Sequence, residues 1–314
     1  MILTWKLWRT LREPPLIAHV LYRRIASMPP FALPFRGQAG RQLLKVLLGL
    51  FLAYVAIRHG VISLLLLMFV VPAAGVLGFL LLPVLLPPIT TLAGGFWAAV
   101  ISGTVVREHN THTYELLCLA PNGSLGANWV IASGCLHRGE YFAALRGAVY
   151  VALTIGAMFL GLLALVAMFM ALRASPTHTL IVAVRTITDL AVILALFHFH
   201  YVQSMVLSAL VGVYVPTTFR SSIDAPWLAF GLFEVIQLGT YTAVALFHVL
   251  LAPVFEQITP DNWLAYISVP LLYLLVFTLL RELIILHLWG SLSSRLNAGP
   301  AEREVLLKQL FDEY

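Results

Sequence analysis

The chain has 314 residues, 61% apolar and 11% charged, with a mean hydropathy of +0.93 and a formal charge of +5. A soluble domain carries about a quarter charged residues. This composition therefore excludes a soluble enzyme, a disordered chain, a fibre and a secreted disulfide scaffold, and leaves a polytopic membrane protein. Only Cys118 and Cys135 are present, which excludes a multi-cysteine metal cluster.

The basic charge is concentrated at the start. Lys6, Arg9, Arg12, Arg23, Arg24, Arg36, Arg41 and Lys45 face a single acid, Glu13. That asymmetry marks a cytoplasmic N-terminus beside an anionic leaflet and not a nucleic-acid-binding arm. Trp5, Leu7, Trp8 and Leu11 alternate with Lys6, Arg9 and Arg12, so residues 1–42 are expected to form one or two amphipathic interface helices. Pro14-Pro15 and Pro29-Pro30 break them. The apolar sequence starts only near Leu43 and no small-residue cleavage site follows, so no cleavable signal peptide is expected.

A bilayer core of ~30 Å takes ~20 apolar residues per helix. Residues 43–106 form one apolar tract, interrupted by Arg58-His59-Gly60 and by Pro72, Pro83, Pro87 and Pro88. It holds two long kinked helices or three shorter ones; alternatively, residues 41–57 lie along the interface. Further spans fall near 142–172, 180–210, 227–251 and 264–287. Two helices in the first tract make six spans with both termini cytoplasmic, in an all-α membrane helix bundle. Loops 107–141 and 211–226 are then inside, and 173–179 and 252–263 outside. Glu256 and Asp261, without Lys or Arg, suit an outer loop, and Arg295, Arg303 and Lys308 suit an inner tail; Arg173 and Arg185 run against the scheme. Trp97, Trp129, Trp227, Trp263 and Trp289 are expected at span ends as an interfacial belt. The organisation is thus a cytosolic segment 1–42, a transmembrane domain 43–290 and a cytosolic tail 291–314. In that tail Gly299-Pro300 opens a short helix carrying Val305, Leu306 and Leu310 on one side.

Loop 107–141 is the most informative stretch. After the polar run Arg107-Glu108-His109-Asn110-Thr111-His112, apolar residues recur at helical spacing (Leu116, Leu119, Ala120), and Pro121-Asn122-Gly123 signals a turn. A short amphipathic helix in the cytosol follows from this, either inserted into a groove of a soluble partner or lying on the membrane surface. Residues 108–121 resemble the signature of type-2 ABC exporter permeases, close to E-R-x-x-G-T-x-E-x-L-x-x-T-P after the second transmembrane helix. Glu108, Thr113, Glu115, Leu117 and Pro121 fall in register; His109, His112 and Ala120 stand where the family carries Arg, Gly and Thr. The resemblance implies a coupling helix, with Glu108, Thr113, Glu115, Leu116, Leu117 and Pro121 docking on a nucleotide-binding ATPase subunit. It also implies pairing with a second permease copy or paralogue, and ATP and Mg held by the ATPase subunit. This chain itself contains no G-x-x-x-x-G-K-[ST] and only three lysines, so no cofactor and no catalytic residue is assigned to it.

Ionisable residues inside spans are costly and are functional candidates. Arg185 and Asp189, four apart, share a helix face and either pair structurally or line a transport path. Glu234 is either partnered by Arg220 or a hydroxyl, or is a proton or substrate site. His198 and His200 point ~200° apart on a helix and cannot share a metal. His248 and His287 are candidates at span ends, and His109 and His112 either chelate or merely add polarity to the loop. Arg281-Glu282 most simply pairs or snorkels. Three other readings compete with the permease: a membrane-embedded enzyme, for which H-E-x-x-H and G-x-S-x-G are both absent; a secondary transporter, whose usual paired halves are not visible; and a membrane anchor.

Overall fold

The computed structural model describes residues 3–12, 20–28, 87–111, 123–138, 140–173, 176–219, 221–258 and 263–308. The chain divides into two units, Met1–Ser27 with Leu86–Tyr314, and Met28–Leu85; residues 29–85 of the second lie outside the described residues. So does the choice between two and three helices in the first apolar tract.

Among the described residues there are nine α-helices and no strand. They are α1 (Leu3–Arg12), α2 (Val20–Ala26), α3 (Pro87–Asn110), α4 (Gly123–His137), α5 (Tyr141–Arg173), α6 (Pro176–Tyr214), α7 (Asp224–Ile258), α8 (Trp263–Arg295) and α9 (Pro300–Lys308). A 3-10 turn, Val215–Thr217, closes α6. The helices α3, α5, α6, α7 and α8 are long and apolar enough to cross a membrane. Pro87, Pro176 and Pro300 open their helices, where a missing N–H has no acceptor to lose. Pro253 and Pro270 lie inside α7 and α8, which run on past them. The four spans after the first tract appear where the hydropathy put them, each overrunning its apolar window by a few residues.

The helix α6 is the centre of the bundle. Every residue from His200 to Val213 is buried, against α1, α3, α4, α5, α7 and α8. Gly212 lets α3 approach closely: a Cβ there would stand 2.7 Å from Ile101 Cβ and 2.9 Å from the Ala98 carbonyl oxygen. In contrast, α5 and α7 expose Met158, Phe159, Leu162, Val235, Leu238 and Leu250, an apolar outer surface suited to lipid and not to water.

At one end, the C-terminal ends of α3, α6 and α8 meet α1, α2, α4 and α9 in a packed base. Leu7, Trp8 and Leu11 of the amphipathic α1 are buried there. Trp8 meets Tyr201 and Phe142 edge-on, at centroid distances of 5.3 and 6.0 Å. The Trp129 indole donates to Thr10 Oγ1 (2.8 Å) and packs edge-on against Trp289. Three of the five tryptophans expected in an interfacial belt, Trp97, Trp129 and Trp289, are therefore core residues, and the belt reading is corrected for them. Their aromatic area fills the base, where Trp129 also finds an acceptor for its N–H. Trp227 is exposed; the side chain of Trp263 lies outside the described residues.

Loop 107–141 is likewise not all loop. It contains α4, apolar on every side and buried between α1, α2, α6 and α9. Gly123 begins α4 with φ of 63°, and a Cβ there would overlap the Glu302 carboxyl. That carboxylate accepts from the Leu125 N–H (2.7 Å), and Ser124 Oγ donates to the Leu296 carbonyl (2.9 Å). The tail helix α9 thus caps the otherwise unpaired N–H groups of α4.

Candidate functional site

Four spans contribute to one buried polar network about 20 Å above the base ends of α6 and α8. Its centre is Arg281 of α8, which is 0% exposed. Its guanidinium donates to Ser204 Oγ (3.0 Å), to the His200 carbonyl (3.3 Å) and to Gln237 Oε1. It also lies over the Phe277 ring, 4.6 Å from the centroid, and 5.7 Å from that of Tyr241. Gln237 Nε2 donates to Ser204 Oγ (3.1 Å). From α3, Thr90 Oγ1 is 2.9 Å from His200 Nε2, which also lies 3.2 Å from the Pro87 carbonyl. Ser208 Oγ donates to the Gly94 carbonyl (2.7 Å), and Gln203 Nε2 to that of Thr278 (3.0 Å).

Arg281 therefore neither snorkels nor pairs with Glu282, which is a correction. The rotation of α8 turns the guanidinium inward, while Glu282 accepts from the Thr4 N–H (3.2 Å) and hydroxyl of α1. No carboxylate among the described residues neutralises Arg281, and its Nε–H has no acceptor. The Gln203 Oε1 atom is also buried without a partner.

Beside the network is a cavity of about 240 Å³, lined by Pro87, Val192, Leu196, His200, Tyr241 and Phe277 with neighbouring apolar residues. A second, of about 410 Å³, lies between α1, α6 and α8 near Trp5, Gln203 and Glu282. Ser204 Oγ approaches His200 Nδ1 only at 3.5 Å while accepting from Arg281 and Gln237. The Ser204 hydroxyl is thus held as a double acceptor at the centre of the network.

The residues singled out in the sequence are dispersed. Glu108 is buried at the end of α3, in an ion pair with Arg24 of α2 and 4.0 Å from Arg107. Thr113, Glu115, Leu116, Leu117 and Pro121 lie outside the described residues, as do His112, Cys118, Arg220 and Arg58-His59. Arg185 and Asp189 face each other on α6 at 3.9 Å, both substantially exposed. Glu234 lies on α7 against Gly95 of α3, its Oε1 buried without a partner. It shares a face with Gln237 and Tyr241, three and seven residues on, at the edge of the network. His198 turns to Trp5 and His200 into the network, on opposite sides of α6. His248 bonds Tyr273 (2.8 Å). Among the described residues no three His, Cys, Asp or Glu side chains gather as a metal site. Burial raises the Cys135 thiol in α4 to about 11, which keeps it protonated and unreactive.

The signal for Ser204, Gln237, Tyr241 and Arg281 lay in the periodicity of polar residues within apolar spans: 200, 204 and 208 on α6, and 234, 237 and 241 on α7. The chain matches no family model, and no curated protein or solved structure matches it significantly.

Proposed function

We propose that this chain is the transmembrane permease subunit of an ATP-driven ABC exporter. It has six spans, an N-terminal interface helix and both termini in the cytoplasm. It works beside a second permease copy or paralogue and with a separate ATPase subunit that holds ATP and Mg. The observation that carries the reading is the place of the motif. Residues 108–121 begin where α3 ends, at the base where α6 and α8 also end, and Glu108 is held to α2 by Arg24. A push delivered at the end of α3 would reach three span ends together, as the rigid-body movement of a coupled transporter requires.

Supporting the span count, Met28 follows a helix in the base and α3 runs towards the base. An odd number of crossings before Pro87 satisfies both, and the 44 residues 43–86 have room for one with flanks. In this scheme Glu108 positions the loop, and Thr113, Glu115, Leu116, Leu117 and Pro121 form the docking surface.

The test is co-purification of the tagged chain in mild detergent. A P-loop ATPase should accompany it in fixed ratio. Glu115→Ala and Leu117→Asp should lose that ATPase while the permease still elutes as a folded species. Consistent absence of an ATPase, or full retention by both variants, overturns the reading.

A further inference from the structure

A carboxylate in an apolar span is costly unless a cation or a full set of donors meets it. Glu282 of α8 has neither. Among the described residues it forms no ion pair with a Lys, Arg or His, and Arg281, its neighbour in sequence, gives its guanidinium to the polar network instead. Two neutral donors hold it, the Thr4 N–H (3.2 Å) and hydroxyl of α1. The same Glu282 lines the cavity of about 410 Å³ between α1, α6 and α8, beside Trp5, Phe199, Gln203, Thr278 and Leu279; the basic residues of α1, Lys6, Arg9 and Arg12, do not line it. The donors of the cavity's polar side chains are used within the chain. Thr4 gives both of its own to Glu282, the Thr278 hydroxyl donates to the Leu274 carbonyl (2.8 Å) and Gln203 Nε2 to that of Thr278 (3.0 Å). Acceptors are left over. A carboxylate takes up to about four hydrogen bonds, and Gln203 Oε1 has no partner. Trp5 and Phe199 add aromatic rings, whose faces attract cations. The cavity opens on the outer surface, where Trp5 is 40% and Leu279 52% exposed. From Leu279 an exposed apolar stripe continues along α8 through Leu275 and Leu271, one turn apart each and leading away from the base.

We infer that this cavity binds a cationic amphiphile, an ammonium head bearing N–H groups on an apolar body. The head lies against Glu282, beside the Trp5 and Phe199 rings, and supplies both the charge and the donors that the wall lacks. The apolar body follows Leu279, Leu275 and Leu271 along the outside of α8. A free alkylamine and an amine-headed phospholipid of the bilayer share this chemistry. Beside lipid the attraction between the two charges is stronger and less screened by salt than in water. The inference is independent of the exporter reading, because binding requires no ATPase.

The test uses the full chain in nanodiscs of phosphatidylcholine, whose quaternary nitrogen has no N–H, and a diazirine-bearing dodecylamine, with labelled peptides identified by mass spectrometry. Labelling is expected on the α1, α6 and α8 peptides that line the cavity. Dodecylamine should compete at concentrations at least tenfold below those needed for dodecanol, dodecanoate or dodecyl phosphate. Phosphatidylethanolamine mixed into the disc should compete as well if the bilayer is the source; competition by dodecylamine without it assigns the site to a free amine. Glu282→Gln, which keeps an acceptor for Thr4 and removes the charge, should reduce site labelling at least tenfold. If that variant does not fold, Leu279→Trp decides, since it narrows the cavity at a half-exposed position and leaves Glu282 and Thr4 in place; it too should lose the label. Equal competition by dodecanol, dodecanoate or dodecyl phosphate, or unchanged labelling in either folded variant, overturns the inference.

Discussion

Two glycines show how much rests on a missing side chain. Gly123 combines a φ of 63° with contact to the Glu302 carboxyl. Gly123→Ala adds both left-handed strain and a steric overlap, and should cost about 2 kcal/mol, seen as a lower unfolding temperature in detergent. Gly212 has an ordinary backbone but faces the Ala98 carbonyl, which cannot rotate away. Gly212→Ala should therefore separate α3 from α6 and cost about 1–3 kcal/mol by the same assay. Single residues were unevenly legible from sequence. Glu234 was visible because a charge in an apolar span stands out; Gln237 and Tyr241, on the same face, were not, because an amide or a phenol does not. Arg281 stands out as a charge, but its direction does not. Whether a long basic side chain snorkels or turns inward depends on the rotation of its helix, which only the packing of α8 on α6 fixes.

At the scale of elements, the spans were legible because lipid demands length and apolarity, and both are written locally. The helix α4 was not. It is too short to span and apolar all round, so neither a hydropathy window nor an amphipathic pattern picks it out; its partners come from residues far along the chain. Glu302 lies 177 positions from the Leu125 N–H it accepts from. Glu302→Ala should remove this cap and cost about 1–2 kcal/mol. Combined with Gly123→Ala the losses should be less than additive, because the overlap disappears with the carboxylate while the strain remains. A double-mutant cycle of melting temperatures measures the difference. Independent losses would show that Glu302 does not bear on Gly123.

The described residues of the larger unit form two regions of different character: an upper bundle with an apolar exterior, and a base whose interior is filled by Trp8, Trp97, Trp129, Phe142 and Trp289. The polar network lies between them. Under the exporter reading, variants of Glu115 and Leu117 should lower transport while leaving the stability of the permease within about 0.5 kcal/mol of the parent. Arg281→Gln should instead lower it, since it removes the guanidinium from which Gln237 Oε1 and Ser204 Oγ accept. Transport measured beside melting separates docking from folding.

The base also has a history in time. Its α1 is made before the spans described, and α9, which caps α4, after them. Until Glu302 emerges, α4 has an uncapped start, and until α8 is inserted, Thr4 has no Glu282 to hold it. The described spans are therefore made before the base can close. A nascent chain halted before residue 300 would display the buried face of α4 to chaperones and proteases, so that synthesis of α9 is a checkpoint on the newly made protein.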